Sequence, residues 1–195
     1  MNDIAYRFAG KDDANFLAKI IREVSAGVVD ALLHDLLPTV GPEKILSMVL
    51  GDTSTHYSHQ NCLLAEQGIE RVGLLFAYDA SLQTIPKLMK TMLPAKRLEP
   101  LSDLLLAHVP ETLYINTFWV ASEQRGQGVA KELLLFAKKW AEQLGLKGLS
   151  LFAFRHNLRA TAFYAHHGFK VVREVVVPEK LQQQNGAGDL WHLEF

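Results

Sequence analysis

The stretch Val120-Ala121-Ser122-Glu123-Gln124-Arg125-Gly126-Gln127-Gly128-Val129-Ala130-Lys131-Glu132-Leu133-Leu134 decides how this chain is read. An apolar strand ends at Val120, a short polar loop follows, and a helical pattern opens directly behind it. Val129, Leu133, Phe136, Ala137, Trp140 and Leu144 fall on one helical stripe, with Lys131, Glu132, Lys138, Lys139 and Glu142 turned to water. The first amides of a helix have no partner within it and carry the positive end of its dipole. Gly126 and Gly128 remove side chains at that end and Arg125 adds a cation, so the loop suits a phosphate. A P-loop would place Lys and then Ser or Thr after its second glycine, where Val129 and Ala130 stand. A dinucleotide fingerprint would need glycine or alanine at Lys131, and would belong near the first strand. Neither fits. The plain alternative is that both glycines only end a loop and start a helix.

Working outward, Ile4, Tyr6 and Phe8 alternate as in a strand, and Lys11, Asp12 and Asp13 then supply a helix start. Helical spacing continues over residues 28–37 up to Pro38, and Pro42 opens a third short helix. Residues 62–65 and 71–78 read as two strands joined by a turn at Gln67 and Gly68, the glycines at Gly68 and Gly73 being taken as turn material. Residues 81–108 form a helical insertion of two short helices separated by Pro94 and Pro100. Strands are expected at 112–120, 149–154, 169–177 and 190–195, and helices at 126–144 and 158–167. Residues 182–188 read as a loop. The order is that of one α/β domain over residues 1–195.

A second motif lies beyond the glycine loop: Asn157, then Ala160, Ala162, Phe163, Tyr164, Gly168 and Phe169. Together with Arg125-x-x-Gly128-x-Ala130, and with the opening Tyr6-Arg7-Phe8 and Asp12-Asp13-Ala14, it resembles the GNAT superfamily of N-acetyltransferases. The resemblance covers nearly the whole chain except the insertion. It implies an α/β fold with a single mixed, mostly antiparallel sheet of about seven strands, splayed between strands 4 and 5 and flanked by helices. It further implies that acetyl-CoA lies in that cleft and that its acetyl group passes directly to an amine. Phe118 and Val120 would then offer backbone groups to the pantetheine arm, and Arg125, Gly126, Gly128, Val129 and Ala130 would surround the pyrophosphate. Asn157 would contact the cofactor, and Tyr164 would be the general acid. A phenol with a pKa of about 10 stays protonated at neutral pH, yet is close enough to a thiol's roughly 8.5 to serve the leaving thiolate. The alternative for Tyr164 is an ordinary core tyrosine.

A base for the attacking amine is not evident. Strict alternation puts Tyr114, Asn116 and Phe118 on one face of the fourth strand and Ile115, Thr117 and Trp119 on the other, with no strong base among them. Glu23, Asp30 and His34 are candidates by position only. A non-catalytic acyl-CoA-binding module therefore stays open beside the enzyme, as does an interaction domain whose insertion binds a partner.

Composition narrows the rest. The 195 residues are 49% apolar, and 20 Lys plus Arg oppose 21 Asp plus Glu for a net charge of −1, without the broad basic footprint of a nucleic-acid binder. No apolar run reaches the roughly 18 residues of a membrane span, and the N-terminus lacks the pattern of a secretory signal. A cytoplasmic setting is expected. Cys62 is the only cysteine and reads as a buried strand residue, so no disulfide framework exists. The eight histidines show no metal-ligand spacing, and no metal is expected. The expected partner is a small-molecule or peptide amine, without nucleic acid or membrane, and a homodimer is left open. The basic centre of the insertion, with Lys87, Lys90, Lys96 and Arg97, precedes the fourth strand. It is therefore expected to wall the amine pocket or adjoin a dimer contact, or else merely to cover the sheet.

Overall fold

The chain forms seven strands, the central ones buried on both faces: β1 (Ile4–Phe8), β2 (Cys62–Gln67), β3 (Glu70–Asp79), β4 (Thr112–Val120), β5 (Gly148–Phe154), β6 (Lys170–Val175) and β7 (Leu190–Glu194). They hydrogen-bond in the order β1-β2-β3-β4-β5-β7-β6. Each neighbouring pair is antiparallel except β4 and β5, which run parallel. The expected single, mixed, mostly antiparallel sheet is thus what the chain forms. The computed structural model describes residues 4–85, 87–176 and 190–195, so the loop expected at 182–188 and the end of the strand expected at 169–177 lie outside the described residues.

Helices cover both faces. On one lie α1 (Ala14–Val24), α2 (Val28–Leu33) and α3 (Pro42–Gly51), whose Leu17, Ile21 and Leu50 pack with Leu64, Leu74 and Phe76 of the sheet. On the other lies α7 (Val129–Gln143), whose Val129, Leu133 and Ala137 pack with Leu75, Leu113 and Leu151. Parallel strands need a crossover between them, and α7 is the crossover from β4 to β5. The short α8 (Leu158–His166) follows β5.

Several boundaries depart from the sequence reading for local reasons. The second helix stops at Leu33, not at Pro38, because Asp35 turns left-handed at φ 54°. The insertion holds three short helices, α4 (Lys87–Met92), α5 (Ala95–Leu98) and α6 (Ser102–Leu106), and not two. Pro94 caps α5, whereas Pro100 sits in the first turn of a 3-10 segment, where its missing N–H costs nothing and the chain runs on. Gly73 is not turn material. It stands inside β3, and a Cβ there would lie 3.0 Å from Leu133 and 3.1 Å from Val129. Its bare backbone lets α7 press onto the sheet. The stripe of α7 is also rotated: Leu134 and Ala141 are buried, while Phe136 (39%) and Leu144 (51%) are substantially exposed. Phe136 covers Tyr6 instead, with ring centroids 5.0 Å apart.

The start of α1 is anchored by one charge. Asp13 is buried, and its carboxylate accepts from Arg7 at 2.7 Å, from Arg71 at 2.6 Å and from the Gly10 amide at 2.9 Å. Arg7 also donates to Glu66 at 2.6 Å, so β1, β2, β3 and α1 meet in one network. Burial works to raise the pKa of Asp13, but the hydrogen bonds from Arg7, Gly10 and Arg71 outweigh it and hold the carboxyl well below the usual range. Because the folded value is depressed, the resulting stability is complete above the unfolded carboxyl's pKa and fades as acid approaches the folded one. Asp13→Ala leaves the Arg71 guanidinium and the Gly10 amide without their partner and reduces Arg7 to its pair with Glu66. It should lower stability by about 2–3 kcal/mol, toward the low end for a broken buried pair because both arginines keep contact with water. Urea unfolding at pH 7 measures this as a lower midpoint at unchanged slope, and the gap between the two proteins should narrow below about pH 4.

Candidate active site

β4 and β5 begin as partners and then part. Their register runs from Thr112 opposite Gly148 to Ile115 opposite Leu151 and goes no further, although β4 continues to Val120 and β5 to Phe154. Where pairing ends, β4 carries a bulge. Phe76 of β3 opposes Thr117, but the next residue, Ala77, opposes Ile115, which leaves Asn116 as the extra residue. The bulge overturns the strict alternation expected from sequence. Tyr114 and Trp119 now face the α1–α3 side, while Ile115, Phe118 and Val120 face α7. Phe118 is thereby brought beside α8, with its ring centroid 6.0 Å from Phe163 and 6.2 Å from Tyr164. A cavity of about 1270 Å³ passes through the opening between the strands.

At one mouth of this cavity lies the glycine loop. Gly126 (φ 79°) and Gly128 (φ 90°) are both left-handed, conformations that side-chain-bearing residues adopt only at a cost, and a Cβ on either would meet nothing within 4 Å. Gly128 caps α7, and the first intrahelical bond is that of the Glu132 amide to the Gly128 carbonyl at 3.0 Å. The amides of Val129, Ala130 and Lys131 before it are left for another acceptor. Arg125 Nε donates to the Val120 carbonyl at 3.0 Å, which ties the loop to the end of β4. Arg125, Gly126, Gly128, Ala130, Phe118, Val120, Asn157 and Tyr164 all line the cavity. Val129 does not: its side chain is buried against Gly73, so only its backbone faces the loop. Lys131 and Arg159 also line this end and were not singled out from sequence. Their signal was modest, a cation within the first turn of each of the two helices that follow the motif positions.

Asn157 caps α8, its side-chain oxygen accepting the Ala160 amide at 3.2 Å. It is therefore a structural cap and a cavity residue at once, and its NH₂ group has no partner among the described residues. Tyr164 is buried, with its ring edge-on to Phe118 and Phe169. Burial pushes its phenol well above the ordinary value assumed from sequence. The group is thus firmly protonated, and no described residue hydrogen-bonds its hydroxyl.

The early helices place no base here. Glu23 is exposed, Asp30 pairs with Arg22 at 2.8 Å, His34 pairs with Asp35 at 2.8 Å, and none of the three lines the cavity. Cys62 is fully buried and burial raises its thiol far out of the nucleophilic range, in keeping with a strand cysteine. Among the described residues no group of three His, Cys, Asp or Glu side chains is placed to hold a metal ion, and no helix is long and apolar enough to cross a membrane.

The insertion reaches the opposite mouth. Met92, Leu93, Leu104 and Leu105 line the cavity from it, facing residues of α1, α2 and α3. Arg97 fastens the two sides together by donating to the carbonyls of Leu32 and His34 at the end of α2, where carbonyls lack helical partners.

Known proteins resemble this chain in sequence and in fold. A model of the acetyltransferase (GNAT) family matches residues 52–169. An uncharacterised N-acetyltransferase of Bacillus subtilis, YycN, is 34% identical over 74 residues, which are 38% of this chain and 47% of that protein. The chain thus spans about half the length of that curated relative. An N-acetyltransferase from Staphylococcus aureus Mu50 shares the fold at a TM-score of 0.69, with 18% identity over 98% of this chain and 100% of that one. Another solved acetyltransferase shares it at a TM-score of 0.66, with 22% identity over 97% of both chains. The family model spans more than half of the residues and takes in the bulged strand, the glycine loop and α8, so the chain belongs to the acetyltransferase (GNAT) family.

Proposed function

We propose that this chain is an N-acetyltransferase that moves an acetyl group from acetyl-CoA to an amine by direct attack in a ternary complex. The observation that carries the reading is the charge layout of the cavity. Its cations, Arg125, Lys131 and Arg159, gather with the free amides of α7 at one mouth, and the cavity then runs between β4 and β5. A ligand with a phosphorylated end and a long, neutral, amide-bearing arm matches that layout. The pyrophosphate lies over Gly126, Gly128 and Ala130 with Arg125 beside it, and the arm runs along the free edge of β4 at Phe118 and Val120. The unused NH₂ of Asn157 is available to an acceptor on that arm.

In the transfer the amine nitrogen's lone pair forms the new bond to the thioester carbonyl carbon, and the C–S bond breaks with its electrons left on sulfur. Nitrogen gives up one proton and sulfur gains one. Tyr164 supplies the sulfur's proton or, given its raised pKa, stabilises the developing thiolate by a hydrogen bond that completes as charge builds. No carboxylate or histidine stands on β4 to take the amine's proton, so the non-catalytic acyl-CoA binder is the second reading. Thiol release separates the two: sustained release of CoA from acetyl-CoA in the presence of an amine supports the enzyme, and saturable binding without release supports the binder.

Substitutions at two residues test the donor end. Acetyl-CoA at about 100 times its Kd should stabilise the protein by about 2.7 kcal/mol and raise its Tm accordingly. Gly128→Glu should abolish that rise, whereas Gly128→Ala, which adds backbone strain without an anion, should lower the basal Tm and keep the rise. Thermal melts of the three proteins with and without acetyl-CoA decide this. Tyr164→Phe should keep the acetyl-CoA effect on Tm and lower turnover by about 10²–10⁴. Unchanged turnover in a thiol-release assay would remove Tyr164 from the reaction.

A further inference from the structure

The cavity does not end where the acetyl group would lie. It continues on the α1–α3 side of the sheet, the face away from α7, between those helices and the insertion. There its walls change character, to side chains such as Val24, Leu32, Leu36, Met92, Leu104 and Leu105. Most polar side chains at this end are already bonded within the protein. Tyr78 donates to Gln83 Oε1 at 2.6 Å, and Gln83 Nε2 donates to the Leu105 carbonyl at 3.1 Å. Asn116 Oδ1 accepts from Thr117 Oγ1 at 3.1 Å, Ser25 Oγ donates to the Arg22 carbonyl at 2.8 Å, and Thr55 Oγ1 accepts the Tyr57 amide at 3.2 Å. Burial raises the phenols of Tyr57 and Tyr114, so both stay neutral. Among the described residues lining this end, Asp52 is the one charged side chain. It is exposed and already accepts the amide and hydroxyl of Ser54, so an ion pair there would be screened by water.

Building on the acetyltransferase reading above, we infer that the acceptor is a primary amine carried on one apolar chain or ring, an alkylamine or arylalkylamine, and that polyamines and aminoglycosides are rejected. The physical grounds are selective in both directions. Each methylene seated among these walls leaves water and gains affinity. A second ammonium or a ring of hydroxyls would lose its hydration and find most of the polar partners already committed. The same surroundings bear on the missing base. An ammonium drawn into an apolar compartment loses its proton to solvent more readily than in water, and what remains is the neutral amine the reaction needs. The compartment is assigned to the acceptor and not to a longer acyl chain because it lies across the sheet from α7, along which the donor enters.

A matched series tests this with the full chain. Ethylamine, butylamine, hexylamine and 2-phenylethylamine are compared with 1,6-diaminohexane and spermidine in the thiol-release assay at fixed acetyl-CoA. Expected is a rise in kcat/KM of about two- to fourfold for each added methylene, with 1,6-diaminohexane at least about tenfold below hexylamine. A flat series, or a diamine equal to or better than hexylamine, overturns the inference and leaves acetyl transfer itself intact. A preference for hexanoyl-CoA over acetyl-CoA with ethylamine as acceptor puts the acyl chain in the compartment and overturns it too. If acetyl-CoA binds and no amine turns over, fluorescence decides, since Trp119 lines the cavity. Saturable quenching by hexylamine, absent with ethylamine at equal concentration, upholds the inference, and no quenching overturns it. Failure of acetyl-CoA to bind is a different result, and counts against the donor reading. Met92→Glu, on a side chain 41% exposed and far from the donor loop, should raise the diamine relative to hexylamine by about fivefold or more. The rise in Tm caused by acetyl-CoA should be unchanged in that variant.

Discussion

Two parallel strands that stop pairing after Ile115 and Leu151 create everything this protein has to work with. A continuous sheet would have satisfied the backbone groups of Asn116–Val120 with those of β5 and left no passage between the two faces. Instead the edge of β4 is left free, and a cavity passes through the sheet. The bulge at Asn116 belongs to the same event, because the extra residue turns Phe118 toward α8 and Trp119 toward α1. The rest of the architecture holds this opening in place. Gly73 lets α7 lie close on β3, which sets where the amides of α7 begin, and Asp13 ties α1 to three strands.

The two ends of the passage obey different physics. One end is cationic and rich in unpaired amides, so it acts through charge and directional hydrogen bonds with an anionic group. The other is apolar, with most of its polar side chains bonded within the protein, so it acts through desolvation. On the proposed reading, a division of this kind would keep a highly charged donor at one end and give an apolar surrounding at the other. On that reading it also bears on the lack of a conventional base, since a desolvated amine needs less help to become neutral.

Much of the donor end was legible residue by residue. Arg125, Gly126 and Gly128 announce themselves because left-handed glycines and a cation at a helix start have few purposes, and their positions are local in the chain. Asn157 and Tyr164 were legible as a spaced motif, although Asn157 proves also to be a helix cap and Tyr164 is more deeply buried, and so less acidic, than a free phenol. Val129 was read both as a stripe residue and as part of the loop, and the structure buries its side chain against Gly73 while its backbone stays in the loop. Lys131 was read as an ordinary solvated cation, which is what a charge on an amphipathic helix normally is, and Arg159 was not singled out at all.

The sequence by itself determined the order of elements, the strand–loop–helix with its two glycines and its cation, and the mixed sheet, because these rest on local spacing and on the backbone preferences of glycine and proline. Only the tertiary structure decided where β4 leaves β5, that Asn116 bulges, and that the helices of residues 81–108 close over α2 through Arg97. It also decided that Glu23, Asp30 and His34 stand clear of the cavity. These are matters of register and of contacts between residues far apart in the chain. A bulge moves every later side chain of a strand to the opposite face, and no pattern of alternation read along one strand reveals the partner that forces it.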